Sequence, residues 1–317
     1  MNQKALLFPG QGAQFPGMGE DFFHSFLVAK ETFQEADDLL GAPLSQLIFK
    51  GPEAELMLTH QAQVAIYVTS MAIYRTVKSQ FPSLQFDMTA GLSLGEYSSL
   101  TAASLFSFQE GVKLVQARGE AMHLASFKPK GGMSVVLGLD FEEILPHLKG
   151  IEAYIANLNC PFQVVISGTQ EALEKLVEPL KRAGAKRVLS LDVSGAFHSP
   201  LMASAKELLT PLIQQIKMEP LSMKILMNVP GDFVIEEKEI RTYLIDQVVS
   251  PTLWEKEMRK MKSEGVEKAL EIGPGKTLSG MNRKMNLPTY TVTNVEDLDG
   301  ISQWQESAHH RGDLGSR

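Results

Sequence analysis

The chain has a single cysteine, Cys160, in 317 residues, which excludes an intramolecular disulfide and a thiolate-rich metal site and fits a reducing compartment. It is also short of basic charge. Thirty Lys and Arg stand against 37 Asp and Glu, a net charge of −7. A phosphate backbone selects basic faces, so nucleic acid is excluded as the main partner. Long apolar runs are missing too. The longest stretch, VAIYVTSMAIY at 64–74, is too short and too polar to cross a bilayer. The start, MNQKALLFPGQG, offers only ALLF before Pro9, less than the apolar core of a signal peptide. No internal repeat or low-complexity tract occurs. The scattered histidines match no metal-ligand spacing. FPGQG at 8–12 and GPGKT at 273–277 lack the full spacing of a phosphate loop. These absences leave a soluble, cytoplasmic protein as the expectation, with no membrane and no nucleic acid among its partners.

What is present is an ordinary globular composition, 44% hydrophobic and 21% charged, long enough for one large domain with a smaller insert. Strand and helix patterns alternate. KALLF at 4–8 reads as a buried strand, and DMTAG at 87–91 as another. Helical patterns lie near 28–40, 53–58, 61–79, 95–103 and 107–126. Such alternation predicts an α/β domain with a mostly parallel sheet. KPKGG at 128–132 breaks the pattern. Beyond it the order is strand 133–139, helix 141–148, strands 151–157 and 163–168, helix 170–183 and strand 186–193, a βαββαβ order that predicts a ferredoxin-like subdomain. Helices near 200–217, 236–248 and 252–264, with strands at 224–228 and 267–272, return the chain to the large domain. The expected division is 1–127 with 197–295 as the large hydrolase-like domain, 128–196 as the insert and 296–317 as a polar C-terminal tail. HHRGDLGSR within that tail reads as appended or unstructured.

In TAGLSLGEYSSL at 89–100, Ser93 stands between Gly91 and Gly95. A G-x-S-x-G after a strand and before a helix forces the serine into a tight turn. The helix N-terminus then offers free N–H groups, that of Leu94 among them, to a developing oxyanion. The motif alone leaves two readings, a nucleophile and a structural turn serine. A nucleophilic serine needs a base. His24, His60, His123 and His147 fall in or beside helical patterns, and His309 and His310 in the tail. His198, in SGAFHSPLM, lies among small residues after the insert's last strand. An α/β-hydrolase would place its histidine near the C-terminal end of the sheet, whereas about a hundred residues follow this one.

Arg118 carries a stronger signal. On a helical wheel for 107–126 the polar arc is Lys113, Gln116, Glu120 and His123. The apolar arc is Leu114, Val115, Ala117, Ala121, Met122 and Ala125, with Arg118 in its middle. An inward arginine needs an anion. Two anions fit, a carboxylate of the chain itself and a carboxylate on a substrate clamped by the guanidinium.

From about residue 4 to 295 the chain resembles the malonyl-CoA:acyl carrier protein transacylases of fatty-acid and polyketide synthesis, through seven ordered segments. They are FPGQGAQ (8–14), GLSLGEYS (91–98), VQARGEAM (115–122), NLNCPFQVVISG (157–168), GAFHSPLM (195–202), DQVVSPTLW (246–254) and EIGPGKTLSG (271–280). The resemblance implies a hydrolase-like α/β fold with a ferredoxin-like insert. It makes Ser93 the acylated nucleophile, His198 its general base and Arg118 the site of the malonyl carboxylate. The backbone N–H groups of Gln11 and Leu94 would form the oxyanion hole. Gln247 matches the position whose carbonyl orients the histidine, so that a dyad suffices. It implies malonyl-CoA and holo acyl carrier protein as substrates in a ping-pong cycle, fatty-acid synthesis as the setting, no cofactor, no metal and a monomer. Phe197 matches the bulky neighbour that keeps extender units small, with plain packing as the other reading. The family's elbow usually reads GHSLG, and Leu92 stands here in place of that histidine. Lys128 and Lys130, Lys186 and Arg187, or Lys276, Arg283 and Lys284 could supply a basic patch for an acidic carrier protein. Two rivals remain at this point: a thioesterase using the same serine, and a non-catalytic relative that binds acyl-CoA or carrier protein.

Overall fold

In the computed structural model, which describes residues 3–127 and 129–306, ten strands form two sheets. They are β1 (Gln3–Phe8), β2 (Met88–Gly91), β3 (Gly131–Leu137), β4 (Ala153–Cys160), β5 (Gln163–Thr169), β6 (Arg187–Ser190), β7 (Lys224–Met227), β8 (Asp232–Val234), β9 (Val266–Ile272) and β10 (Thr289–Val292). The larger sheet runs β10-β9-β1-β2-β7-β8. All its pairings are parallel except β7 with β8. Its centre is β1, in which Ala5, Leu6, Leu7 and Phe8 are all fully buried. Such an unbroken apolar run belongs to a parallel strand covered on both faces. Helices Thr59–Gln80 and Phe108–Ala125 pack together on one side of this sheet.

The second sheet runs β4-β5-β3-β6 with antiparallel pairs. With helices Phe141–Leu148 and Gln170–Arg182 it has the strand order of a ferredoxin-like unit. It has its own apolar core of Val136, Ile144, Ile166, Leu173, Leu176 and Leu180. The α/β class and the two kinds of sheet expected from the sequence are therefore present. Strand β4 is tied to the larger body through Thr252, whose N–H donates to the Ala156 carbonyl at 2.9 Å and whose carbonyl accepts from Leu158 N–H at 2.9 Å.

One expectation is overturned. Residues 296–306 are not a polar tail: a 3-10 turn over Val295–Leu298 leads into helix Asp299–Glu306, and Ile301 and Trp304 are buried. The pair stands at i and i+3, so a single turn faces the body, with Phe86 and Trp304 ring centroids 6.4 Å apart. An eight-residue helix carries too few apolar positions to show a period. The rest of the expected tail, with His309 and His310, and Lys128 of the proposed patch lie outside the described residues. Short elements were also unanticipated: helices Glu20–Ser25 and Leu44–Lys50 and strands β8 and β10.

Candidate active site

Strand β2 ends at Gly91 and helix Gly95–Ala102 begins four residues later, so the chain reverses around Ser93. Ser93 has φ 53°, a left-handed conformation that costs a non-glycine residue about 1 kcal/mol or more. The flanking glycines are required by closeness. A Cβ on Gly91 would lie 1.9 Å from the Gly95 backbone, and one on Gly95 would lie 2.2 Å from the Phe8 carbonyl oxygen. Leu92 takes part through its backbone, which donates to the Phe8 carbonyl at 3.1 Å, while its half-buried side chain packs against the apolar cluster of Ala90 and Trp254.

The structure brings Ser93, Arg118, His198 and Gln247 together. Ser93 Oγ lies 2.8 Å from His198 Nε2 and 3.0 Å from Arg118 Nη2. On its other side His198 Nδ1 faces two carbonyls, Gln247 O at 2.9 Å and Ser250 O at 3.2 Å. Carbonyls only accept, so the ring proton sits on Nδ1 and the Nε2 lone pair is turned to the serine. Burial, with the Arg118 charge next, pushes the His198 pKa down to about 4. At neutral pH the imidazole is therefore an uncharged base already in contact with the hydroxyl. His198 is itself left-handed, φ 59°, on the turn where Ser199 Oγ accepts from Leu201 N–H at 3.3 Å to start the next helix.

Arg118 is 1% exposed. Helix Phe108–Ala125 starts at a capping box of Ser107 and Glu110 and packs its apolar face inward, which carries the guanidinium below Ser93. None of its hydrogen bonds goes to a carboxylate. Nη1 donates to Gln63 Oε1 at 2.5 Å, and Nη2 to Gln247 Oε1 at 2.9 Å as well as to Ser93. Nε is buried with no partner among the described residues, and the guanidinium carbon stands 5.5 Å from the Tyr97 ring centroid. Burial is the main influence that lowers its pKa. A buried cation held by neutral amides, rather than by a counter-ion, favours any anion that reaches it. Of the two readings left open by the sequence, the internal ion pair is not found among the described residues.

A cleft of about 200 Å³ opens over these groups, lined by Gly10, Gln11, Leu92, Ser93, Phe197 and His198 on one side and Met133, Asn157 and Val165 of the second sheet on the other. Gln11 thus stands at the cleft, and Leu94 caps helix Gly95–Ala102 beside Ser93. Among the described residues neither backbone N–H pairs with a backbone carbonyl, which leaves both available to an oxyanion. Among those residues no group of three metal-ligating side chains occurs, and no helix is long and apolar enough to cross a membrane.

The sequence reading missed several contacts at the site. Asn228 Oδ1 accepts from Ser93 N–H at 2.7 Å and its Nδ2 donates to Gly91 O at 2.8 Å, clamping both ends of the elbow. Gln63 and Ser250 hold the arginine and the histidine. The Gln247 side chain bonds Arg118, Glu96 and the Ser93 carbonyl, in addition to the backbone contact with His198. Two features were detectable. Gln63 is a buried amide between Ala62 and Val64 on a mostly apolar helix run, and Asn228 follows the C-terminal end of a parallel strand, where sites in such sheets gather.

Comparison with known proteins gives one answer. The Acyl transferase domain family matches residues 5–287. The malonyl CoA-acyl carrier protein transacylase of Bacillus subtilis is 42% identical over 306 residues, covering 94% of this chain and 96% of that protein. The crystal structure of the corresponding Clostridium perfringens transacylase superposes with a TM-score of 0.91 at 36% identity, covering 96% of this chain and 98% of that one. A malonyl-transacylase solved in complex with its holo type II PKS acyl-carrier protein superposes with a TM-score of 0.90 at 36% identity, covering 94% and 98%.

Proposed function

The chain belongs to the acyl transferase domain family, and from that premise we propose that it transfers a malonyl group from malonyl-CoA to the phosphopantetheine thiol of acyl carrier protein. The observation that carries this reading is the 3.0 Å approach of Arg118, a buried arginine without a carboxylate partner, to the serine that His198 activates. A nucleophile for a thioester and a receptor for a carboxylate sit side by side, which suits an acyl group with a free acid at its far end.

The chemistry follows from the atoms. Ser93 Oγ attacks the thioester carbonyl carbon as its proton passes to His198 Nε2, and the carbonyl oxygen becomes an oxyanion facing the N–H groups of Gln11 and Leu94. The intermediate collapses, the C–S bond breaks, and the CoA thiolate takes the proton from His198. In the second half the carrier thiol gives its proton to His198 and attacks the malonyl ester. The bond between the malonyl carbonyl carbon and Ser93 Oγ breaks, and Oγ recovers the proton from His198. No water enters the balance. Arg118 orients malonyl and disfavours neutral acyl groups, which would leave it unpaired in a dry site. The acid at the far end of the acyl group also offsets the Arg118 charge that depresses His198, so bound malonyl makes the base stronger. Fatty-acid extension as the setting, a single chain as the working unit, a cytoplasmic location and no cofactor belong to the same reading.

The test is transfer of labelled malonyl from malonyl-CoA to holo carrier protein by the wild type and by Ser93→Ala. Parallel double-reciprocal lines with wild type, and no transfer with the variant, are expected. Intersecting lines, or transfer without Ser93, would refute the covalent cycle. Release of malonate to water at the same rate with and without carrier would make the protein a thioesterase instead.

A further inference from the structure

Below the reacting groups lies a buried polar set that the acyl-transfer steps do not use: Glu96, Asn228 and Glu257. Glu96 stands in the first turn of helix Gly95–Ala102, directly behind the nucleophile. One of its oxygens accepts the Asn228 backbone N–H at 2.7 Å, and the other accepts Gln247 Nε2 in a short hydrogen bond. Gln247 Nε2 also donates to the Ser93 carbonyl at 3.0 Å, and Gln247 Oε1 accepts from Arg118 Nη2 at 2.9 Å. We propose that Glu96 is a positioning residue for acid recognition: it fixes which way round the Gln247 amide stands, so that an oxygen and not an NH₂ faces Arg118. The inference rests on the reading of Arg118 as the site of the malonyl carboxylate.

The two ends of a glutamine amide are nearly identical in shape, and only their neighbours decide the orientation. Here the neighbours divide cleanly. Arg118 can only donate. The Ser93 carbonyl can only accept, and the Glu96 oxygen facing Gln247 accepts here as well. Asn228 is sorted by the same logic, with its oxygen toward Ser93 N–H and its NH₂ toward Gly91 O and Glu257 Oε1, the latter at 2.9 Å. Because the Asn228 N–H already occupies one Glu96 oxygen, Glu96 has no free side on which to turn a donor. Burial pushes Glu96 above the usual carboxylate range, while the Asn228 N–H and the Arg118 charge pull it back. Burial, then the Glu96 charge, pushes Glu257 well up. Glu96 is raised to about 8, yet both its oxygens accept from N–H donors, and it is this acceptor geometry that sorts the Gln247 amide.

An isosteric change therefore has a directed effect. In Glu96→Gln the new NH₂ must face either Asn228 N–H or Gln247 Nε2, two donors meeting in a dry site. The second conflict is relieved only by turning the Gln247 amide over, which puts its NH₂ against Arg118 and its oxygen against the Ser93 carbonyl. The conflict at the Ser93 carbonyl weakens acylation by every donor, and the conflict at Arg118 adds a loss felt only by acyl groups recognised there.

The experiment measures kcat and KM for Ser93 acylation by malonyl-CoA and by acetyl-CoA in wild type, Glu96→Gln and Glu96→Asp, with thermal unfolding as the check on folding. Glu96→Gln is expected to lose roughly tenfold or more in kcat/KM for malonyl-CoA beyond its loss for acetyl-CoA, chiefly through KM, the size of one hydrogen bond to a charged group. Glu96→Asp keeps the carboxyl group but cannot span both donors, so it shifts the ratio the same way and carries the test if the glutamine variant does not fold. Equal losses for both donors would reduce Glu96 to structural support, and an unchanged ratio would overturn the inference. Full selectivity in Glu96→Asp would overturn it as well, because the reach of the carboxyl group to both donors would then not matter. A wild type that does not prefer malonyl overturns the Arg118 reading and this inference together. A preference that survives Glu96→Gln overturns the inference alone.

Discussion

Beneath Ser93 the buried side chains are polar and each is placed by named hydrogen bonds, whereas across the cleft the antiparallel sheet packs on Val136, Ile166, Leu176 and their apolar neighbours. The two regions bury comparable kinds of backbone but spend burial differently. On the floor, desolvation depresses His198, raises Glu96 and leaves Arg118 without a counter-ion, so burial there sets reactivity. In the wall, burial holds a sheet in place and nothing titrates in its core. The contrast teaches that function is concentrated on the floor, while the wall gives shape to the cleft and closes it.

That division can be broken from either side. The largest effect is expected from His198→Ala, which removes the base and leaves Ser93 without a proton acceptor. Acylation should fall by roughly 10²- to 10⁴-fold, measured by rapid-quench formation of the ester, with unfolding temperature little changed. Next comes Arg118→Ala. It should lower kcat/KM for malonyl-CoA by roughly 10- to 100-fold, the range of one or two charge-assisted hydrogen bonds, and leave acetyl-CoA much less affected.

Arg118→Ala has a second signature in the pH profile. The folded pKa of His198, about 4, lies below the ordinary imidazole value of 6.5. The neutral base therefore persists as pH falls and is lost only near 4. Removing the Arg118 charge removes one of the two influences that depress it, so the acid limb should move up toward 6.5. Linkage runs in the same window. Between 6.5 and 4 the unfolded chain binds a proton that the folded state refuses. The burial of His198 therefore subtracts from stability progressively as pH falls, and the subtraction vanishes above 6.5.

The smallest effect on chemistry is expected from the wall. Leu176→Ala, in the core of the second sheet, should cost about 2–5 kcal/mol of stability while leaving the malonyl-to-acetyl ratio unchanged. A large change in that ratio would show that the wall takes part in recognition and would dissolve the comparison.

How much of this was legible in the sequence differs between the same two regions. The elbow was visible because a local steric demand forces glycine at 91 and 95 around Ser93. Arg118 was visible because one charge interrupts an apolar arc. The second sheet was visible as a change of strand and helix order after KPKGG. The polar floor was not visible. Glu96 reads as an ordinary acidic residue in a helix first turn, where the dipole welcomes it. Its pairing with Asn228, 132 positions away, exists only in the fold. Gln247 was legible through its carbonyl alone, and the side-chain amide that ties Arg118 to the elbow is set by the fold. The last helix escaped for another reason. Two apolar residues in eight make no period, although Ile301 and Trp304 suffice to dock it.

The most direct measurement is the intact mass of the protein after brief mixing with malonyl-CoA, with the modified residue located by peptide mapping and holo carrier protein then added. A single malonyl adduct on Ser93, absent from Ser93→Ala and discharged by the carrier faster than by water, is the predicted result. An adduct elsewhere, or none in folded protein, would contradict the account that the buried Ser93, His198 and Arg118 act together as the site of malonyl transfer.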